Sequence, residues 1–170
     1  MTVRFAFIGA SGSGKTRLVT RLAAFFSRRG LKVGTVKHAH SGFEVDQRGK
    51  DSWRHYQAGA QRVCVTGPRQ TVTFERGGRT LRDLLPRFRD CDLVLVEGFR
   101  HEGLPSVEVY RRAVAGRPLH QVEGFRVRAM VTRDPVEFRG PVFDPDDVAG
   151  VATLILPSLR ARMRSRRRGA

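Results

Sequence analysis

The sequence predicts an α/β fold with a mainly parallel central sheet and one added antiparallel hairpin. Three observations predict it. Residues 3–8 are strand-like and run directly into glycines at 9, 12 and 14, after which 15–29 places apolar side chains at Leu18, Leu22, Ala23, Phe25 and Phe26, a helical period. Residues 93–96 are four consecutive aliphatics, the pattern of a central strand covered on both faces. Residues 62–66 and 71–75 are two strand-like runs on either side of Gly67-Pro68, which reads as a turn.

The remaining elements follow in chain order. Gly30 stands where a helix C-cap belongs, and residues 31–37, β-branched and bounded by glycine, form a second strand parallel to the first. Residues 38–49 are polar with neither period, a long exposed loop of the length that tends to carry function. A helix is expected over 51–58 and a short amphipathic one over 80–88, then strands over 106–110 and 127–132. Asp144, Asp146 and Asp147 introduce a closing helix over 145–159, acidic groups being favourable at a helix N-terminus. A chain of 170 residues suits one α/β domain, here residues 1–159, followed by a basic tail over 160–170 that reads as flexible. No internal repeat is visible.

Composition narrows the class. No apolar run approaches the ~18 residues of a membrane span, and the N-terminus enters a strand with no charged leader or cleavage site, so a cytoplasmic protein is expected. Cys64 and Cys91, each in a strand-like apolar stretch, read as buried thiols and not as a disulfide framework. The net charge of +16 would ordinarily suggest a polyanionic partner. All but four of the 32 basic residues are Arg, scattered along the chain, and the only dense run is Arg160, Arg162, Arg164, Arg166, Arg167 and Arg168 at the C-terminus. A terminal basic run is usually solvated, so nucleic acid is not the expected partner.

Residues 9–16 read Gly-Ala-Ser-Gly-Ser-Gly-Lys-Thr, the pattern Gly-x4-Gly-Lys-Thr, placed between a strand and a helix. Gly9, Gly12 and Gly14 let the backbone turn so that successive N–H groups, with Ser11 and Ser13 between them, face one anion-sized concavity at the positive end of the helix. Lys15 brings a point charge to β and γ phosphates, and the Thr16 hydroxyl is placed to ligate magnesium. The fold class is therefore that of the three-layer P-loop NTPases. Such a site needs an acidic group at the end of a neighbouring buried strand, and Glu97 follows residues 93–96 directly.

The 38–51 loop offers His38, His40, Glu44, Asp46, Lys50 and Asp51. Its position after the second strand suits a segment that closes over the γ-phosphate, with Asp46 and Asp51 as the candidates for magnesium or the attacking water. Lys15, Asp51 and Glu97 are thus assigned to catalysis, and Thr16, Asp46 and Glu97 to the metal. His38 and His40 form a His-x-His pair, but without a third placed ligand an exposed loop explains them better than zinc.

With these residues in place the chain resembles the MobB family, P-loop GTP-binding proteins of molybdopterin-guanine dinucleotide biosynthesis. The likeness is carried by residues 8–16, by 34–40 with Phe43 and Asp46, by 49–52 with Arg54 and residues 58–60, and by 92–99, and it covers about residues 3–110. The resemblance implies a cytoplasmic, dimeric protein that binds GTP with magnesium weakly and hydrolyses it slowly. It would assist a MobA-type guanylyltransferase in delivering or assembling molybdopterin or molybdoenzyme cofactor. Two positions depart from the family pattern: Glu44 stands where Asp is usual, and the histidines are reduced to His38 and His40.

Guanine recognition has no Asn-Lys-x-Asp motif to rest on. Asp134, after the strand over 127–132, either accepts hydrogen bonds from guanine or is a turn aspartate before Pro135. The alternative to an accessory GTPase is a small-molecule kinase on the same loop, against which residues 111–124 lack a recognisable lid helix.

Overall fold

The computed structural model describes every residue except Met1, His40, Ser41, Glu44, Val45, Gly169 and Ala170, and the side chains of residues 166–168 are left aside. The His-x-His pair and the Glu44 departure therefore fall partly outside the described residues. The chain divides into two compact units, Met1–His38 with Leu84–Ala170, and Ala39–Asp83.

The first unit is a six-stranded parallel sheet. β1 (Val3–Ile8) lies between β5 (Leu93–Glu97) and β6 (Ser106–Val109); β2 (Val33–Lys37) flanks β5, and β7 (Val127–Val131) followed by β8 (Val142–Phe143) flanks β6. The chain leaves β1 on one side for β2 and β5 and reaches β6 on the other, so the carboxyl end of β1 is a topological switch point. The register pairs Phe7 with Glu97 and Lys37 with Glu97, which brings three strand ends to one level. Every residue of β5 is buried, as its aliphatic run predicts.

Helix α1 (Lys15–Ser27) buries Leu18, Val19, Leu22 and Phe26, an i, i+4, i+8 stripe with one neighbour, against Phe5, Phe7 and Leu95 of the sheet. Each such side chain contributes roughly 1.5–3 kcal/mol by leaving water. The helix stops short of the expected Arg29 because Gly30, at φ 79°, closes it: its N–H reaches Ser27 O at 2.9 Å and the Leu31 N–H reaches Phe26 O at 3.3 Å. The same face of the sheet receives Val151, Ala152, Ile155 and Leu159 of α4 (Val148–Arg168).

Helix α4 differs from its expected span at both ends. Asp147 stands just before it and its carboxylate accepts the Gly150 N–H at 2.8 Å, the work of an N-cap. At the other end the helix continues through the arginine run to Arg168, so residue 159 is not a break in the backbone. Arginine is a good helix former, and Arg162 is anchored by an ion pair to Asp92 and a bond to Cys91 O. The strand pair β7–β8 adds an edge that two residues of sequence do not announce.

The second unit holds α2 (Asp51–Gln57) and an antiparallel hairpin, β3 (Arg62–Thr66) with β4 (Thr71–Glu75), joined as expected through Gly67-Pro68. α3 (Leu81–Leu84) is a single turn continued as a 3-10 turn over Leu85–Phe88, because Pro86 has no N–H with which to extend an α-helix. The mainly parallel sheet with an added hairpin is the predicted fold class. The cysteine expectation fails: Cys64 is exposed and Cys91 half-buried. Cys64 pairs with Thr73 in a two-stranded sheet, and Cys91 precedes β5 and lies outside it. Among the described residues no helix is long and apolar enough to cross a membrane.

Candidate functional site

The loop between β1 and α1 is shaped by its glycines. Gly9 has φ 141°, and a Cβ there would collide with the carbonyl oxygen of Val109 on β6, so the close approach of loop and strand requires glycine. Gly14 enters α1 from the left-handed region at φ 103°. No side chain caps that helix start, and no acidic residue occupies its first turn. The first N–H groups of α1 and the positive end of its dipole are thus presented to the loop.

The donors around this concavity suit an anion. Lys15 Nζ donates to Gly9 O at 3.0 Å and Ala10 O at 2.6 Å, folding the ammonium across the loop. Burial draws Lys15 below the ordinary lysine pKa; the Glu97 charge opposes that shift and the Lys37 charge adds to it. The Ser13 hydroxyl is buried with no protein partner, an orphan polar atom of the kind a bound oxyanion would satisfy. Backbone N–H groups, an ammonium and a free hydroxyl form a donor set for phosphate.

The carboxyl ends of β2 and β5 add a second cluster beside Thr16. The Thr16 hydroxyl donates to Glu97 Oε1 at 2.7 Å, and Lys37 Nζ lies 3.1 Å from Thr16 Oγ1 and 3.2 Å from Glu97 Oε1. Glu97 is only 7% exposed, so its charge is held in low dielectric with these partners. The chain leaves β5 through Gly98 at φ 85° and Phe99 at φ 52°, the latter a left-handed non-glycine residue whose ring meets His38 at 4.8 Å between centroids. Thr16 with Glu97 is an oxygen pair of the kind magnesium takes.

On the other side of the loop lies a cavity of about 470 Å³, lined by Gly12, Ser13, Gly14, Arg17 and Leu18, by Val109, Tyr110 and Arg111, and by Val131, Arg133, Asp134 and Pro145. Its lining mixes apolar Leu18, Val109 and Val131 with three arginines. Arg133 pairs with Asp144 at 2.8 Å and Asp146 at 2.5 Å, and Asp146 also receives Arg17 at 2.7 Å and Arg21 at 2.5 Å. The bond from Arg133 holds the Asp144 carboxyl at about 2. Asp134 lines the cavity, and its Oδ2 accepts the Arg112 N–H at 2.7 Å. The neighbouring segment is strapped at its far end by Glu108, 1% exposed, which accepts the N–H groups of Leu119 at 2.6 Å and His120 at 3.0 Å and faces the His120 ring at 3.2 Å. Between these straps residues 111–124 contain one 3-10 turn, Leu119–Gln121, and no α-helix.

The first unit therefore brings together Gly9, Ser11, Gly12, Ser13, Gly14, Lys15, Thr16 and Glu97, with Asp134 in the adjoining cavity. Asp46 and Asp51 belong to the second unit. There Asp46 Oδ1 accepts the Gln47 N–H at 2.9 Å and the Ser52 hydroxyl at 3.2 Å while its Oδ2 is buried without a partner, and exposed Asp51 lies 3.7 Å from Arg54. Among the described residues no three His, Cys, Asp or Glu side chains are gathered as a metal cluster. Lys37, Arg17 and Arg133 also stand at the site without belonging to the loop motif. Lys37 could have been found: it ends β2 as Glu97 ends β5, and parallel strands in register make such terminal residues neighbours.

A glycine-shaped anion loop between strand and helix, at the switch point of a mainly parallel sheet, with a buried carboxylate closing the next strand, defines a P-loop NTPase-like protein. The family model described as molybdopterin guanine dinucleotide synthesis protein B, MobB, matches residues 4–133, beyond the limit near 110 expected from sequence. The chain belongs to the MobB family. It is 34% identical over 151 residues to the molybdopterin-guanine dinucleotide biosynthesis adapter protein of Haemophilus influenzae, covering 86% of this chain and 84% of that one. It is 32% identical over 157 residues to the adapter protein of Escherichia coli, covering 89% and 90%. Its structure is similar to the crystal structure of a MobB homolog from Bacillus stearothermophilus, with TM-score 0.72 at 26% identity over 93% of this chain and 98% of that one. It matches a molybdopterin-guanine biosynthesis protein B structure equally well, with TM-score 0.72 at 29% identity over 93% and 99%.

Proposed function

We propose that this chain is a GTP-binding accessory protein with weak GTPase activity that assists a MobA-type guanylyltransferase in molybdopterin-guanine dinucleotide assembly. The observation that carries the reading is the Thr16–Glu97 contact, which couples the phosphate loop to a buried carboxylate in a chain of the MobB family. Residues 9–15 would cradle the phosphates, Lys15 would neutralise them, and the cavity beside Gly12 would take the nucleoside, with Asp134 on its wall. Thr16 and Glu97 would hold magnesium, and Glu97 would serve the attacking water. Magnesium bound there would supply charge neutralisation of the phosphates.

A cytoplasmic homodimer belongs to the same proposal. The paired Val65 and Val72 of the hairpin, 46% and 38% exposed, supply an apolar strip for a second copy. The test measures GTP and ATP binding and turnover by the purified chain and its Lys15→Ala variant, then capture of the guanylyltransferase with molybdopterin, with and without GTP and magnesium. GTP selectivity, loss of binding in Lys15→Ala and nucleotide-dependent capture are expected. Preference for ATP, or phosphate transfer to an added small molecule, would refute the assignment and favour a kinase.

A further inference from the structure

Lys37 stands where two oxygens meet. Its ammonium lies 3.1 Å from Thr16 Oγ1 and 3.2 Å from Glu97 Oε1, and those two oxygens are themselves bonded at 2.7 Å, so a hydroxyl, a carboxylate and an ammonium form a closed triangle. The anchor is buried and the cation is not. Glu97 is buried at the end of a fully buried strand, whereas the Lys37 side chain is 56% exposed and hangs on a flexible stem from the last residue of β2.

We propose that Lys37 is the resident cation of the metal position: it neutralises Glu97 and must be displaced before magnesium can take Thr16 and Glu97. The inference rests on the nucleotide-site reading and adds a specific competition to it. Magnesium requires oxygen ligands at about 2.0–2.1 Å in near-octahedral array, and an ammonium bonded to the same oxygens excludes that arrangement. A buried carboxylate left without a cation is costly, which is why an exposed lysine is held there. The Lys37 ammonium also acts on the Lys15 charge at the same site. Lys37 thus joins the cationic wall facing the phosphates, and supports metal-free nucleotide binding while opposing metal entry. Ligand and metal affinity are then linked through one side chain.

The test compares wild type, Lys37→Met and Lys32→Met, the last removing an equal charge just before the same strand. Three quantities are read: GTP affinity in chelator, the magnesium concentration that half-saturates its enhancement, and binding of manganese without nucleotide. In Lys37→Met, GTP affinity in chelator is expected to fall by about fivefold or more, magnesium half-saturation to drop by at least about fivefold, and manganese to bind more tightly, fivefold being the lower end of ordinary coupling between sites. Lys32→Met is expected to match wild type in all three. Unchanged magnesium half-saturation and manganese affinity in Lys37→Met, in a protein whose GTP binding is lost in Lys15→Ala, would overturn the role of Lys37 alone. GTP binding that survives Lys15→Ala, or is absent from wild type, would overturn the nucleotide reading as well.

Discussion

Thr16 and Glu97, 81 residues apart in sequence, share a 2.7 Å hydrogen bond that ties the first turn of α1 to the carboxyl end of β5. Removing either partner should uncouple metal from nucleotide. Glu97→Gln keeps the shape, and is expected to weaken magnesium-dependent GTP binding by about 10–100-fold, the usual effect of losing a group that holds or orients a metal ligand. Titration of GTP at fixed magnesium measures it, and affinity within twofold of wild type would remove Glu97 from the site.

Gly9 and Gly14 should respond differently to alanine. At Gly9 the new Cβ meets the Val109 carbonyl, which is backbone and cannot swing aside, whereas at Gly14 no atom lies within 4 Å and only the left-handed φ is penalised. Gly14→Ala is expected to cost about 1–2 kcal/mol of folding stability. Gly9→Ala should cost more than that and abolish nucleotide binding, because β1 and β6 must part to admit it. Denaturant melts of the two variants give the comparison.

Glu108 is the buried strap of the segment beside the cavity. Glu108→Gln turns one acceptor oxygen into a donor facing an N–H, an unsatisfied pairing that costs roughly 1–3 kcal/mol. Asp134→Asn, at the more exposed end of the same segment, is expected to destabilise less. Hydrogen exchange of the Leu119 and His120 amides should accelerate in Glu108→Gln and stay slow in Asp134→Asn.

Arg162 and Asp92 form an ion pair in which both side chains are largely buried, 8% and 18% exposed. Arg162→Ala removes this ion pair from Asp92, and about 3 kcal/mol is the expected loss for breaking such a pair. The last turns of α4 should fray with it, which circular dichroism would register as lost helix. Retention of helicity would show that the arginine run is helical on its own propensity.

The Arg133 cluster makes a pH-dependent contribution of definite sign. The Asp144 carboxyl is held at about 2, below its ordinary 3.8, chiefly by its bond from Arg133, and Asp146 is lowered chiefly by Arg21. A depressed carboxylate stabilises the fold above its unfolded pKa and loses that contribution as pH falls through the folded value. The melting-temperature difference between wild type and Arg133→Gln is therefore expected to be full above pH 3.8 and to shrink toward pH 2. The groups are exposed, so the difference should be small and reduced by salt.

Much of this fold was legible because its signals are local. The spans of β1, β3 and β4 coincide with runs read from residue type and turn chemistry alone, and β5 is buried throughout as its aliphatic run requires. The anion loop was legible for the same reason: glycine is needed where φ is positive, and lysine and threonine are needed next to it. The helix ends were less so, since Gly30 closes α1 two residues early through bonds to Ser27 and Phe26.

Sequence by itself determined the glycine loop, the individual strand runs and the carboxylate at the end of β5, because each is set by neighbours within one strand or one turn. Tertiary structure decided which strand ends meet. Lys37 became the partner of Glu97 through β2–β5 register, the Asp134 carboxylate was turned to the Arg112 N–H, and Arg162 found Asp92 across 70 residues. Those contacts join residues distant in sequence, and only the packing of the sheet brings their charges close enough to choose one another.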